Sequence, residues 1–519
     1  MLPSSIRSKD KAMDTSGTLD LLLLGGFLAI PVVGVLAMLA STKPRHVLVI
    51  NFAASLGAGI LSLALAFRLS GRDVIRVADG FLRADHFSAW HLLLLTLAVF
   101  SPSSLFSFSY FKNDAAVTLG GMRRFGMLWQ GSLASMSLAL ISGNIGIMWV
   151  AIEASTLFTA FLILREGNSA SLEAMWRYII MCSVGVAFAF IGTLLFAAAA
   201  QKAGLNGSDS LLLDKIYSVK DKLNPSLAMA GFVFILIGYG TKAGLAPMHN
   251  WLPDAHSQAP GPVSAMFSGF LLNTALYCIV RFMPIASGAQ AEPGKPLKLL
   301  MFLGILSIAL SSIFIFFQQD AKRMLAYCSV EHLGIIAFGY ALGPAGAFAA
   351  LFHTMNHSLA KTTGFFAAGT LGKKLGTNDF SAFAGAAKKY PLWGGGLALS
   401  LLALIGVAPF SVFMSEFLLV KAGIDTSAWL PTGIFLAATC VVFVRMLKHS
   451  IDIAWKPTAL PASSPELVGA ADEGKTRDGF AATFIIAAPL ILLLVFGLWM
   501  PGFLFDFIQK AKEALWSIK

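Results

Sequence analysis
The residues best equipped for chemistry are a few ionisable side chains set in long apolar runs. Between positions 238 and 282, Lys242, His249, Asp254 and His256 lie among prolines at 247, 253, 260 and 262. In hydrocarbon, ionisable groups and non-helical backbone are both costly, and they persist where they line a polar path or are buried against protein. Glu153 is the one charged residue of IGIMWVAIEASTLFTAFLIL. A carboxyl and an amine in mutual reach load and release a proton as their geometry changes. Glu153 therefore reads as a proton carrier with Lys242 as its partner; an ion pair that fixes helix register is the plainer alternative. His249 and His256 follow Lys242 at steps of seven residues. Pro247 and Pro253 interrupt that face, so both histidines read as relay groups beside a broken helix. WLPDAH also fits a hydrogen-bonded loop near one surface.

A second set follows downstream. His353, His357 and Lys361 fall at i, i+4 and i+8, a stripe on one helix face. His-x-x-x-His spacing suits zinc, but Thr354 stands where a zinc protease carries glutamate, and Lys361 adds a repelling charge. No metal is expected; a hydrated path through imidazoles that titrate near neutrality fits better. Glu416, seven residues after Pro409, reads as the ionisable terminus of the path. Asp320, Lys322, Arg323, Glu331 and His332 read as a charged patch less clearly inside the membrane, with Lys322 and Arg323 a structural or interfacial pair rather than carriers.

The elements that must hold these groups are apolar. The chain has 519 residues, 57% hydrophobic and 13% charged, about half the charged share of an ordinary soluble domain. Runs of bilayer-crossing length recur throughout, so the fold class is all-α, a polytopic membrane protein of about fourteen spans. The first apolar run, 19–41, reads as a retained helix rather than a signal peptide. The net charge of +11 sits mostly in loops and points to topology and anionic lipids, not nucleic acid. Cys182, Cys278, Cys328 and Cys440 have no metal or iron–sulfur spacing. Spans 1–3 occupy residues 1–123, a first half 124–284, a second half 285–450, and a linker, last span and tail 451–519.

KAGLAPMHNWLPDAHSQAPGPVSA, DAKRMLAYCSVEHLG and HTMNHSLAKTTGFFAAG, in that order, resemble the antiporter-like proton-translocating subunits of respiratory complex I and of Mrp sodium/proton antiporters. The resemblance covers about residues 125–425. SVEHLG and LLNTALYCIVRF are most similar to the F-component type of hydrogenase-4 and related group 4 hydrogenases or formate hydrogenlyases. The resemblance implies two inverted five-helix repeats with helices 7 and 12 broken. It places the family's functional residues on Glu153, Lys242, His353, His357, Lys361 and Glu416. Many relatives carry a further lysine in LLKTG; here the motif is LLNTA and Asn273 takes that place. An amide can hold water but cannot take up a proton, which assigns His249, His256 and water a larger share of the central relay. The largest complex I relative carries a lateral helix that this chain is expected to lack.

The leading expectation is a proton-translocating, non-catalytic subunit of a redox-driven complex in the bacterial or archaeal inner membrane. The alternatives are a sodium/proton antiporter subunit and a non-pumping membrane anchor. Partners would be other membrane antiporter-like and anchor subunits and peripheral redox subunits. No cofactor is expected in this chain; iron–sulfur clusters, a nickel–iron centre, flavin or quinone would belong to those partners. Later basic connectors place the N-terminus on the outer face.

Overall fold
The computed structural model describes residues 4–112, 117–164, 167–457 and 479–516, with side chains from residue 17 onward. The linker expected at the start of 451–519 thus lies largely outside the described residues. The chain runs back and forth as helices α1 (Ser4–Ala40), α2 (Pro44–Leu69), α3 (His86–Tyr110), α4 (Leu119–Ile141), α5 (Ile145–Ile163) and α6 (Ser169–Lys202). A broken helix follows as α7 (Pro225–Ala243) and α8 (Trp251–Gln258), then α9 (Gly261–Gly288), α10 (Gly294–Phe317), α11 (Ala321–Ala341) and α12 (Pro344–Leu375). A second broken helix is α13 (Pro391–Leu404) with α14 (Ser411–Asp425). Helices α15 (Trp429–Trp455), α16 (Phe480–Leu498) and the amphipathic α17 (Gly502–Trp516) complete the described chain. Eleven of these elements are long and apolar enough to cross a membrane.

Helix starts are written in the connectors. Proline occupies the first turn of α2, α7, α12 and α13, where its missing N–H would have had no partner. Thr118, Asn144, Asn168 and Asn224 cap α4, α5, α6 and α7 through side-chain oxygens. Where α6 crosses α7 the backbones touch. A Cβ on Gly238 would lie 2.4 Å from the Ala189 nitrogen, and one on Gly192 would lie 2.7 Å from the Gly231 oxygen. Such small-residue seams let helices pack closely where apolar burial alone gives no drive.

Both breaks use the same four-residue grammar, which no comparison of whole segments reveals. Gly-Leu-Ala-Pro at 244–247 and Gly-Val-Ala-Pro at 406–409 each place a left-handed glycine (φ 73 and 66) before a cis Ala–Pro bond. Only glycine adopts that φ without strain. Residues 251–258, which fit a surface loop by sequence, instead form α8.

One connector is not helical. Val74–Val77 pairs antiparallel with Leu82–Asp85, and Asp85 then caps α3 by accepting from the Ser88 N–H. Alternation is too short there to register against the flanking apolar spans. At the centre, α9 is covered on every side: residues 261–287 are all buried.

Candidate functional site
The first cluster forms where α7 breaks. Lys242, in the last turn of α7, is fully buried. Its Nζ donates to Thr156 Oγ1 of α5 at 2.9 Å and to Tyr178 OH of α6 at 2.5 Å. Because the ammonium only donates, the Tyr178 hydroxyl is left to donate to Thr159 Oγ1, 2.7 Å away, and Thr159 donates to the Ser155 carbonyl. The expected direct Glu153–Lys242 pair is not formed. Glu153 sits one turn before Thr156 on α5, half-buried, and its Oε1 accepts from Ser183 at 2.8 Å. Its Oε2 is buried without a hydrogen-bond partner. Lys242 and Glu153 still lie within electrostatic reach of each other.

Next along the molecule are groups from the second half-helix and α9. His256 is fully buried, stacked on Phe365 at 5.1 Å between ring centroids, with neither ring nitrogen hydrogen-bonded. His249 lies on the turn before α8, packed against Phe314 and Tyr327, with Nδ1 unpartnered. Asn273 follows a wider π turn at Phe267–Leu271. Its Nδ2 donates to the Gly269 carbonyl, which also receives Ser358 Oγ of α12, and its Oδ1 has no partner.

The second cluster lies on α12 and α11. Lys361 is buried and donates to the Leu325 carbonyl at 2.7 Å. His357 and His353 rise from it one turn at a time. His353 Nε2 and His332 Nδ1 are 2.8 Å apart, and His353 Nδ1 is 2.9 Å from Ser415 Oγ. Asn356 joins this end by donating to Ser415 Oγ and the Ser411 carbonyl. Both nitrogens of His357 and Nε2 of His332 are buried without partners. Glu416, next to Ser415, is half-buried and turns its carboxyl onto the break at Gly406, where any Cβ would strike it.

Glu331 and His332, read from the sequence as part of a charged patch less clearly inside the membrane, are buried within α11. Eleven residues of helix rise about 16 Å, half a hydrocarbon core, and that count from Ala321 would have found them. Tyr178, Ser415 and Asn356 were also missed, since uncharged polar residues in a span carry no such mark. Cys328, Glu331 and His332 have ligand atoms within 4.8 Å of one another, a spacing a metal could accept; the neighbouring Lys361 ammonium instead supplies positive charge to Cys328 and Glu331.

Lys322, Arg323 and Asp254 are engaged in contacts that tie α8 to its neighbours. Asp254 of α8 pairs with Arg177 of α6 and Arg323 of α11, each at 2.8 Å. Lys322 Nζ donates to the Ser257 and Ala259 carbonyls at the end of α8, where a cation suits the helix dipole. The half-helix α8 is thereby held to both halves of the molecule.

A family model described as NADH:quinone oxidoreductase/Mrp antiporter, TM, matches residues 142–442. The chain is 39% identical over 362 residues to the hydrogenase-4 component F homolog of Methylacidiphilum infernorum (isolate V4), covering 67% of this chain and 75% of that protein. It is 31% identical over 354 residues to hydrogenase-4 component B of Escherichia coli (strain K12), 65% of this chain but 50% of that protein. Its fold is similar to a chain of an archaeal membrane-bound sulfane sulfur reductase (TM-score 0.84, 23% identity, 96% of this chain and 98% of that one). A chain of the Mrp complex from Dietzia sp. DQ12-45-1b is also similar (TM-score 0.82, 22% identity, 96% and 98%).

Proposed function
The chain belongs to the NADH:quinone oxidoreductase/Mrp antiporter family of polytopic membrane subunits, and on that footing we propose that it translocates protons within a redox-driven complex of the hydrogenase-4 or complex I type. The observation that carries the reading is the file of ionisable groups running from half-buried Glu153 and buried Lys242 through buried His256 to buried Lys361, His357, His332 and His353. Buried imidazole nitrogens without protein partners concentrate along it, and buried polar atoms of that kind are ordinarily completed by water. Hydroxyls, imidazoles and waters in one line are what proton hopping needs. Electron transfer in a partner would shift the electrostatics at one end and move the proton from the Lys242 cluster towards Lys361 and Glu416. This chain performs no redox chemistry itself.

The fourteen-span reading adds α4, α12 and the α13/α14 pair to the eleven apolar spans. Inverted repeats of α4–α9 and α10–α15 are supported by the Gly-x-Ala-Pro sequence found at both breaks. That pairing sets α5 against α11 and makes Glu331 the counterpart of Glu153. The divisions near residues 123, 284 and 450 follow from it. Lys373, Lys374, Lys388 and Lys389 share one end of the bundle with Lys448 and Lys456, which assigns that end to the cytoplasm and the hairpin end, with the N-terminus, to the outside.

Lysines at both cluster centres favour protons over sodium, which needs oxygen ligands free of a competing cation. The test uses the assembled complex in vesicles carrying an internal pH dye. Lys242→Ala and Lys361→Ala should each reduce redox-driven proton uptake at least ten-fold while electron transfer continues. Uptake that requires sodium would favour the antiporter reading, and uptake equal to wild type would favour a non-pumping anchor.

A further inference from the structure
A surface cavity of about 680 Å³ opens at the hairpin end of the bundle, floored by Arg83, Asp85 and His86 and rimmed by Arg72, Lys510 and Glu513. Directly behind the floor lies Arg281 of α9, 1% exposed. Its Nη1 and Nη2 clasp the two Asp85 oxygens at 2.8 and 2.6 Å. Its Nε donates to Tyr277 OH at 2.9 Å, and Nη2 also reaches Ser88 Oγ at 2.8 Å. The guanidinium carbon is 4.7 Å from the Phe87 ring centroid and 4.9 Å from that of Tyr277.

From Arg281 a polar line continues inward. Arg281, Tyr277 and Asn273 sit one turn apart on the same face of α9. Asn273 offers its unpartnered Oδ1 there, and through the Gly269 carbonyl it meets Ser358 of α12, the neighbour of His357. These side chains mark the course of a branch from the middle of the ionisable file towards the outer cavity; Tyr277 OH bonds Ser88, the Leu140 carbonyl and Arg281 rather than Asn273, and the outer end of the branch is a guanidinium. Every charged or imidazole group of the file itself can exchange a proton; arginine cannot. A fixed guanidinium also repels cations. An anchor for α9 alone would be served as well by apolar packing, since a buried ion pair seldom outperforms an apolar replacement of its size.

We propose that Arg281, clasped by Asp85, is the ion seal that closes the branch between the outer cavity and Asn273, so that protons in the file cannot short-circuit to the outer face. The proposal rests on the file conducting protons. Its test is passive leak: complex in vesicles, potassium and valinomycin fixing the potential, no electron donor, and internal pH recorded after an external acid step. Wild type should stay within two-fold of empty vesicles. Arg281→Gln should leak at least ten-fold faster, as should Asp85→Asn with Arg281→Gln, which leaves no unpaired charge and serves if the single variant does not assemble. Arg281→Lys, keeping the charge, should stay within two-fold of wild type. Adding Asn273→Leu to Arg281→Gln should close the leak one turn deeper. Tight membranes with both glutamine variants would overturn the seal, and so would equal leaks from the lysine and glutamine variants, which mark damaged packing. Driven uptake lost in Lys242→Ala together with a tight Arg281→Gln refutes the seal alone; uptake kept in Lys242→Ala refutes the conducting file instead.

Discussion

The Lys242 ammonium is held by the Tyr178 hydroxyl at 2.5 Å and not by the Glu153 carboxylate. The hydroxyl stands between the amine and a further hydroxyl, Thr159, so the lysine has a hydrogen-bonded hydroxyl neighbour on α6 as well as on α5.

Tyr178→Phe removes that neighbour with little change in shape. A hydrogen bond to a charged group contributes about 1.5–3 kcal/mol. Redox-driven proton uptake in vesicles should fall about ten-fold, and Thr156→Val should fall less, since Tyr178 would remain. Full uptake in Tyr178→Phe would remove the tyrosine from the path.

His332 and His353 share one hydrogen bond at 2.8 Å, so they should act as one unit. His332→Gln, His353→Gln and the double variant should lose similar amounts of driven uptake. Losses that multiply in the double variant would mean that the two imidazoles contribute independently.

The two tethers of α8 differ in exposure and therefore in their response to salt. Asp254 pairs with arginines whose side chains are 57% and 38% exposed; such pairs contribute about 0–1 kcal/mol each and are screened. Asp254→Asn should lower the melting temperature in detergent slightly at low salt and hardly at all at high salt. Lys322→Met removes two hydrogen bonds from a buried ammonium, and its larger loss should persist at both salt concentrations.

Asp85, at the hairpin end and outside the spans, is subject to burial that opposes its charge. Arg281 and Arg83 and the Ser88 N–H nevertheless hold its carboxyl well below the usual carboxylate range. A lowered folded-state value gives stability that is fully present above the unfolded value, about 3.9, and is lost as pH falls through the folded value. The gap in melting temperature between wild type and Asp85→Asn should be constant from neutral pH to about pH 5 and narrow on stronger acidification. A gap that widens with acid would contradict the assignment.

Much of this was legible in the sequence because lipid punishes polarity. Lysines, histidines and prolines in apolar runs marked both broken helices and the α12 stripe, whereas Glu331 and His332, which read as less clearly inside the membrane, lie buried in α11. What remained hidden has physical reasons. Tyr178 and Ser415 are residues that spans tolerate anywhere, so only their neighbours reveal a role. Glu153 and Lys242 attract on paper, but the hydroxyls of α5 and α6 reach the ammonium first. The hairpin pairs only four residues on each strand, too few to register as alternation. The Arg281–Asp85 clasp joins residues 196 positions apart, and no local pattern connects them.

The complete enclosure of α9 has a consequence for how the molecule meets its surroundings. From residue 261 to 287 this helix is buried within the chain, so its solvent is protein. Bilayer thickness and acyl composition, which tilt or strain a lipid-facing span, reach Asn273 and Arg281 only through the helices around them. A change of membrane can therefore alter how fast those outer helices rearrange while leaving the dielectric around the central amide and guanidinium where the chain itself has set it.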